Sequence, residues 1–108
     1  VADQIRASRE CGCEAIEIHT GTYANAKTPA GIAETLDAIR TGLAEGLAEG
    51  LIVHGGHGLT YNNIHPVAAL AGFSEFNIGH SIISRSIFVG LREAVMEMKR
   101  LIQQAGSL

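Results

Sequence analysis

Three short clusters in this chain set a titratable side chain beside glycine: Glu17 and His19 in EIHTG, His57 in GGHG, and His80 in NIGHS. An imidazole titrates near neutrality and can give or take a proton, so His57 is a candidate general acid or base. Glycines flanking one polar side chain cost backbone entropy and bury nothing. Gly56 and Gly58 therefore suit a sharp turn or the close approach of a ligand. Glu17 lies in an otherwise apolar alternation, where a carboxylate needs a partner or a function. The structural alternative is a pairing with His19 or with an arginine. Gly79 and His80 open a helix whose first backbone N–H groups can receive an anion such as phosphate. The alternative there is a glycine that only permits a tight turn. Arg85, a turn further on, either supports an anion or faces solvent. A metal triad of His19, His57 and His80 is a weaker reading, because no spacing specifies it. His54 is expected to pack or to face a helix, and His65, beside Pro66, to be a surface histidine.

These side chains need a frame. Residues 3–11 read as a short helix stopped at Gly12. Residues 14–19 alternate with period two, Ile16 and Ile18 on one face and Ala15, Glu17 and His19 on the other, which predicts a strand. Residues 20–31 read as a loop. Thr28 followed by Pro29 then starts a helix. Its stripe runs through Ile32, Leu36, Ile39, Leu43 and Leu47, with Gly50 as stop. Gly42 and Gly46 interrupt it at a cost of roughly 1 kcal/mol each relative to alanine. They mark either a weakened amphipathic helix or a stripe of small residues for close packing. LIVHG is a second strand. A short helix follows, capped by Asn62 or Asn63 and stopped by Gly72. EFNIGH is a third strand, Phe76 and Ile78 on one face, Glu75, Asn77 and Gly79 on the other. From Ser81 onward the pattern is helical, with a break at Gly90.

Strands alternating with helices predict βαβ units and a parallel sheet. The first and third strands are apolar on one face and polar on the other. Central strands of an open doubly wound sheet are apolar on both faces, whereas the inner rim of a barrel can be polar. Glu17, His19 and Asn77 fit inward positions at such a rim. A full (β/α)8 barrel takes about 250 residues, and three strands are present. The pattern is thus either part of a barrel or a small α/β domain of another design. The chain opens already helical at VADQIRASRE, as though inside a larger protein.

The chain has 108 residues, 46% of them hydrophobic and 18% charged, with a net charge of −3. That suits one folded domain. No basic cluster invites nucleic acid, and no apolar run nears the roughly 20 residues of a membrane span. Cys11 and Cys13 make no disulfide framework, so a reducing cytoplasm is expected. The pair reads as helix-end packing or, less well supported, as part of a metal site.

The stretches AIEIHTGTYANAKT, GGHGLTYNN and FNIGHSIISRSIFVGLREAVMEMKRLI together resemble the C-terminal part of the pyridoxine 5′-phosphate synthase family, over nearly all of the chain. The resemblance implies a parallel (β/α)8 TIM barrel, of which residues 1–108 supply roughly the last three βα units, assembled as a homo-octamer. It implies condensation of 1-deoxy-D-xylulose 5-phosphate with 3-amino-2-oxopropyl phosphate to pyridoxine 5′-phosphate, inorganic phosphate and water, with no cofactor and no metal. It assigns Glu17 to transition-state stabilisation and His57 to proton donation. It assigns Gly58 to substrate binding, and Gly79 and His80 to substrate phosphate. The partners implied are phosphorylated small molecules. In two respects the chain departs from the family. VHGGHGL stands where the family commonly has VNAGHGL, so His54 and Gly55 replace asparagine and alanine. The proton-accepting histidine and glutamate and the phosphate-binding arginines of the family's N-terminal strands are not among these residues. Rival readings are a non-catalytic phosphate-binding α/β module, a purely structural assembly piece and a metal-dependent aldolase.

Overall fold

The computed structural model describes residues 2–106. The first helix, α1 (Ala2–Glu10), leads into strand β1 (Ala15–His19). A short helix α2 (Gly21–Asn25) and the long α3 (Pro29–Ala48) separate β1 from β2 (Ile52–Gly56). Helix α4 (Ile64–Ala68) precedes β3 (Glu75–Asn77), and α5 (His80–Val89) and α6 (Leu91–Ala105) follow. The strands form one parallel sheet in the order β1-β2-β3. The alternation expected from the sequence is thus present as an α/β architecture with a three-stranded parallel sheet. No described helix is long and apolar enough to cross a membrane.

Register assigns the faces. Ile16 pairs with Val53, and Ile18 with Gly55 and then Phe76. This row meets the helices: Val53 is fully buried with Ile39, Leu43, Ile64, Val67, Phe73 and Met98. The other row pairs Ala15 with Ile52, Glu17 with His54 and Glu75, and His19 with Gly56 and Asn77. Its face is uncovered, and Ile52 is 49% exposed beside a Val53 at 0%. One face packed and one open is the pattern read from β1 and β3. His54 lies in the open row, and its Nδ1 stands 3.5 Å from Glu75 Oε2. Of the expectation that it packs or faces a helix, the second part is corrected; the period of two gives it the face opposite Val53.

Helix α3 begins as its sequence demands, with the Thr28 hydroxyl accepting from the Gly31 N–H at 3.0 Å and Pro29 in the first turn. Its stripe is buried at Ile39 and Leu43, while Ile32 and Leu47 stay more than a third exposed. Gly46 settles the question of the small residues. A Cβ there would lie 2.7 Å from Val53 Cγ2 and 3.1 Å from Ile16 Cδ1, so the glycine brings the helix onto the sheet. Helix α6 buries Ala94, Met98 and Ile102 on one face, whereas α5 buries no side chain fully. Arg85 pairs with Glu97 at 3.3 Å across these two helices and is thereby engaged away from an anion site. Both thiols, Cys11 and Cys13, are free and exposed, so helix-end packing does not describe them.

Two local readings change. The expected loop over residues 20–31 contains α2, held by the buried Tyr23. Asn63 occupies the cap position of α4, but its side chain makes no bond to that helix; it serves the loop before it, as described next.

Candidate active site

The C-terminal ends of three parallel strands converge on one side of the sheet, where ligand sites of parallel α/β folds form. A cleft of ≈ 730 Å³ opens there, and Glu17, His57, Gly58, Asn77, Gly79 and His80 all line it. The residues picked from three separate clusters, Glu17, His57, Gly58, Gly79 and His80, thus share one cavity. A second groove of ≈ 640 Å³ runs along the edge strand β1 and reaches Glu17 and His19 from the other side.

Glu17 emerges from the open face of β1. Its carboxylate accepts a hydrogen bond from Asn77 Nδ2 at 2.7 Å. The partner is therefore an amide of β3, neither His19 nor an arginine. The two strands are separated by β2, and what lets the side chains meet across it is Gly56. A Cβ at Gly56 would stand 2.8 Å from Glu17 Oε1 and 3.0 Å from the Asn77 carbonyl. Gly56 ends the strand and makes no turn; it leaves room for the carboxylate.

The turn is made by His57 itself, with φ 90°, followed by Gly58 at φ 76°. A non-glycine residue held at such a φ costs of order 1–3 kcal/mol and persists only where its surroundings impose it. Those surroundings are visible. The Thr20 hydroxyl lies 2.6 Å from the His57 carbonyl and 2.9 Å from the Gly56 carbonyl, to which the Thr20 N–H also donates at 2.8 Å. Beyond the turn, Asn63 Nδ2 donates to the Gly58 carbonyl, Asn63 Oδ1 accepts from the Thr60 N–H, and the Tyr23 hydroxyl donates to the Asn63 carbonyl. Burial raises the Tyr23 pKa above its ordinary 10.0, which keeps that donor protonated. Gly58 completes the turn where any Cβ would meet the Ala24 methyl at 2.6 Å.

The His57 ring stacks on His19, centroids 4.1 Å apart and planes at 26°. His19 Nδ1 accepts from the Gly21 N–H at 3.2 Å, which in the neutral ring places its proton on Nε2. Stacked faces do not converge their nitrogens on one ion. No group of three or more histidine, cysteine, aspartate or glutamate residues that could hold a metal is found among the described residues.

On the far side of the cleft, Gly79 caps α5 at φ −122° and ψ −59°, outside the left-handed region that favours glycine. A Cβ at Gly79 would touch nothing within 4 Å. Neither backbone strain nor a protein neighbour requires glycine here. The glycine leaves its Cβ position open at the start of a ten-residue helix, which suits either a tight turn or an approaching anion. His80 begins that helix, exposed, and the Ser81 hydroxyl donates to the Leu59 carbonyl at 2.8 Å, joining the second loop to the third.

Asn77 was expected at an inward position of the rim, whereas Thr20 and Asn63 were not expected to build the site. The polar alternation of β3 put Asn77 on the right face. Nothing local marked Thr20 or Asn63, since their partners come from the folded chain. In a comparison with protein families, residues 1–104 match the family model described as pyridoxal phosphate biosynthesis protein PdxJ. The chain belongs to that family, and its place is in the biosynthesis of pyridoxal phosphate, the active form of vitamin B6.

Proposed function

We propose that this chain carries the proton-donating half of a pyridoxine 5′-phosphate synthase site. The reaction condenses 1-deoxy-D-xylulose 5-phosphate with 3-amino-2-oxopropyl phosphate, releasing inorganic phosphate and water. The observation that carries the reading is the single cleft into which the three strand ends send Glu17, His57, Gly58, Gly79 and His80. An amine and a ketone join through an imine, and ring closure then expels water and phosphate. Each step asks for a positioned acid or base. His57 donates a proton to a departing oxygen, Glu17 sits where positive charge develops, and Gly58 lets substrate approach the main chain. The start of α5 at Gly79 and His80 receives a substrate phosphate. No cofactor is needed for this chemistry.

The proposal extends to architecture. The open row of the sheet becomes the inner face of a (β/α)8 barrel, of which residues 1–108 supply roughly the last three βα units as one C-terminal segment. The assembly is a homo-oligomer, an octamer as in the family, working in the cytoplasm on phosphorylated small molecules. The test is direct. The intact protein, given both substrates, should form pyridoxine 5′-phosphate and release one phosphate per product. Binding of inorganic phosphate without turnover would instead favour a phosphate-binding module.

A further inference from the structure

We propose that Thr20 is the positioning residue of this site: its buried hydroxyl clamps the Gly56–His57 backbone so that the His57 imidazole lies on His19 at the cleft. The proposal rests on the assignment of His57 as proton donor made above. Thr20 is fully buried, and a buried hydroxyl must find a partner. It precedes α2, where a threonine ordinarily accepts from the first turn of the helix. Thr20 makes no such bond. Its hydroxyl is turned to the next strand, 2.6 Å from the His57 carbonyl and 2.9 Å from that of Gly56, while its N–H donates to Gly56 at 2.8 Å. The residue it holds is the one non-glycine residue at positive φ among those described.

Its neighbours in sequence act on the same ring. His19 gives His57 a face to stack on. Gly21 fixes His19 through its N–H, and a Cβ on Gly21 would stand 2.5 Å from His19 Cε1 and 2.9 Å from His57 Cδ2. Three consecutive residues, His19, Thr20 and Gly21, therefore fit one imidazole. The EIHTG segment supplies Glu17 to the cleft and, through these three, the seat of His57.

The experiment compares Thr20→Val, which keeps the shape and removes the hydroxyl, with Thr20→Ser, which keeps the hydroxyl. In the intact enzyme Thr20→Val should lower kcat on the order of 10²-fold, the loss expected when a reacting group is misplaced by about 1 Å. KM should stay within about threefold, and Thr20→Ser should recover most of the rate. Placed in a His57→Asn background, Thr20→Val should cause no further loss, because its effect passes through His57. An equal loss in both backgrounds, or a lowered Tm with kcat unchanged, would overturn the proposal. A crystal structure of each variant reads the clamp without turnover. His57 leaving positive φ and its stack in Thr20→Val, and keeping both in Thr20→Ser, supports the proposal; His57 unmoved in Thr20→Val overturns it. If the parent forms no pyridoxine 5′-phosphate while the clamp behaves as stated, the assignment of function fails and the clamp stands.

Discussion

The His57 turn is held by Thr20 from below, by Asn63 from ahead and by the face of His19, whereas the Gly79–His80 turn is joined to its neighbours through Ser81 and leads into a helix that buries no side chain fully. The two sides of one cleft are built to different tolerances. The proton transfer proposed for His57 depends on an atom held to within a fraction of an ångström, and the bonds to the backbone of the turn together with the stack on His19 serve that. A phosphate is gripped by backbone N–H groups whose directions the helix already fixes. On the proposed reading that side needs free space more than support, and the Cβ position of Gly79 is open. The glycines differ accordingly. Gly56 and Gly21 are fitted against other side chains, and Gly79 is fitted against nothing.

Substitutions can break that contrast. The largest loss after that of His57 is expected from Glu17→Gln, which keeps the shape and the bond to Asn77 but removes the charge. Turnover should fall by about 10²-fold or more, the usual share of one acid–base or charge-bearing group, with an unchanged Tm. Gly56→Ala should come next. The new methyl displaces the Glu17 carboxylate, the movable partner in that contact, and kcat should drop roughly 10-fold to 10²-fold while the protein still folds. Gly79→Leu should act on the other side of the cleft in the other way. The side chain meets no protein atom near its Cβ, so Tm holds, but it fills the space before the helix. KM for a phosphorylated substrate should rise roughly tenfold, about the worth of one hydrogen bond to a charged group. A Gly79→Leu variant that binds as tightly as the parent would show that the turn meets no ligand. The smallest effect belongs to His54→Asn. His54 sits in the open row between Glu17 and Glu75, one layer before His19, Gly56 and Asn77. Steady-state rates of this variant should stay within about twofold, since asparagine is the residue the resembled family commonly carries at this position and leaves His57 intact.

Much of this was legible in the chain, and the reasons are local ones. Ile16 and Ile18 alternate with Glu17 and His19, so β1 announced both faces. Thr28 and Pro29 marked the start of α3, and Gly90, at φ 86°, broke the last two helices where expected. The illegible parts depend on distant partners. Residues 21–25 look like a loop, because threonine, glycine and asparagine favour one; the buried Tyr23 and the packing around it make a helix there. Asn77 and Glu17 are 60 residues apart and meet only after β2 has placed a glycine between them. Gly56 and Gly58 looked like the turning residues of GGHG; Gly58 does turn, but His57 takes the place of Gly56, its carbonyl held by Thr20.

The central claim is that His57 delivers the proton, and steady-state kinetics of His57→Asn beside His54→Asn tests it most directly. The account predicts a kcat lowered by roughly 10²–10⁴-fold for His57→Asn, with KM little changed. It predicts near-parent rates for His54→Asn. A crippled His54→Asn beside a fully active His57→Asn would contradict it and move the chemistry to the other histidine of VHGGHG.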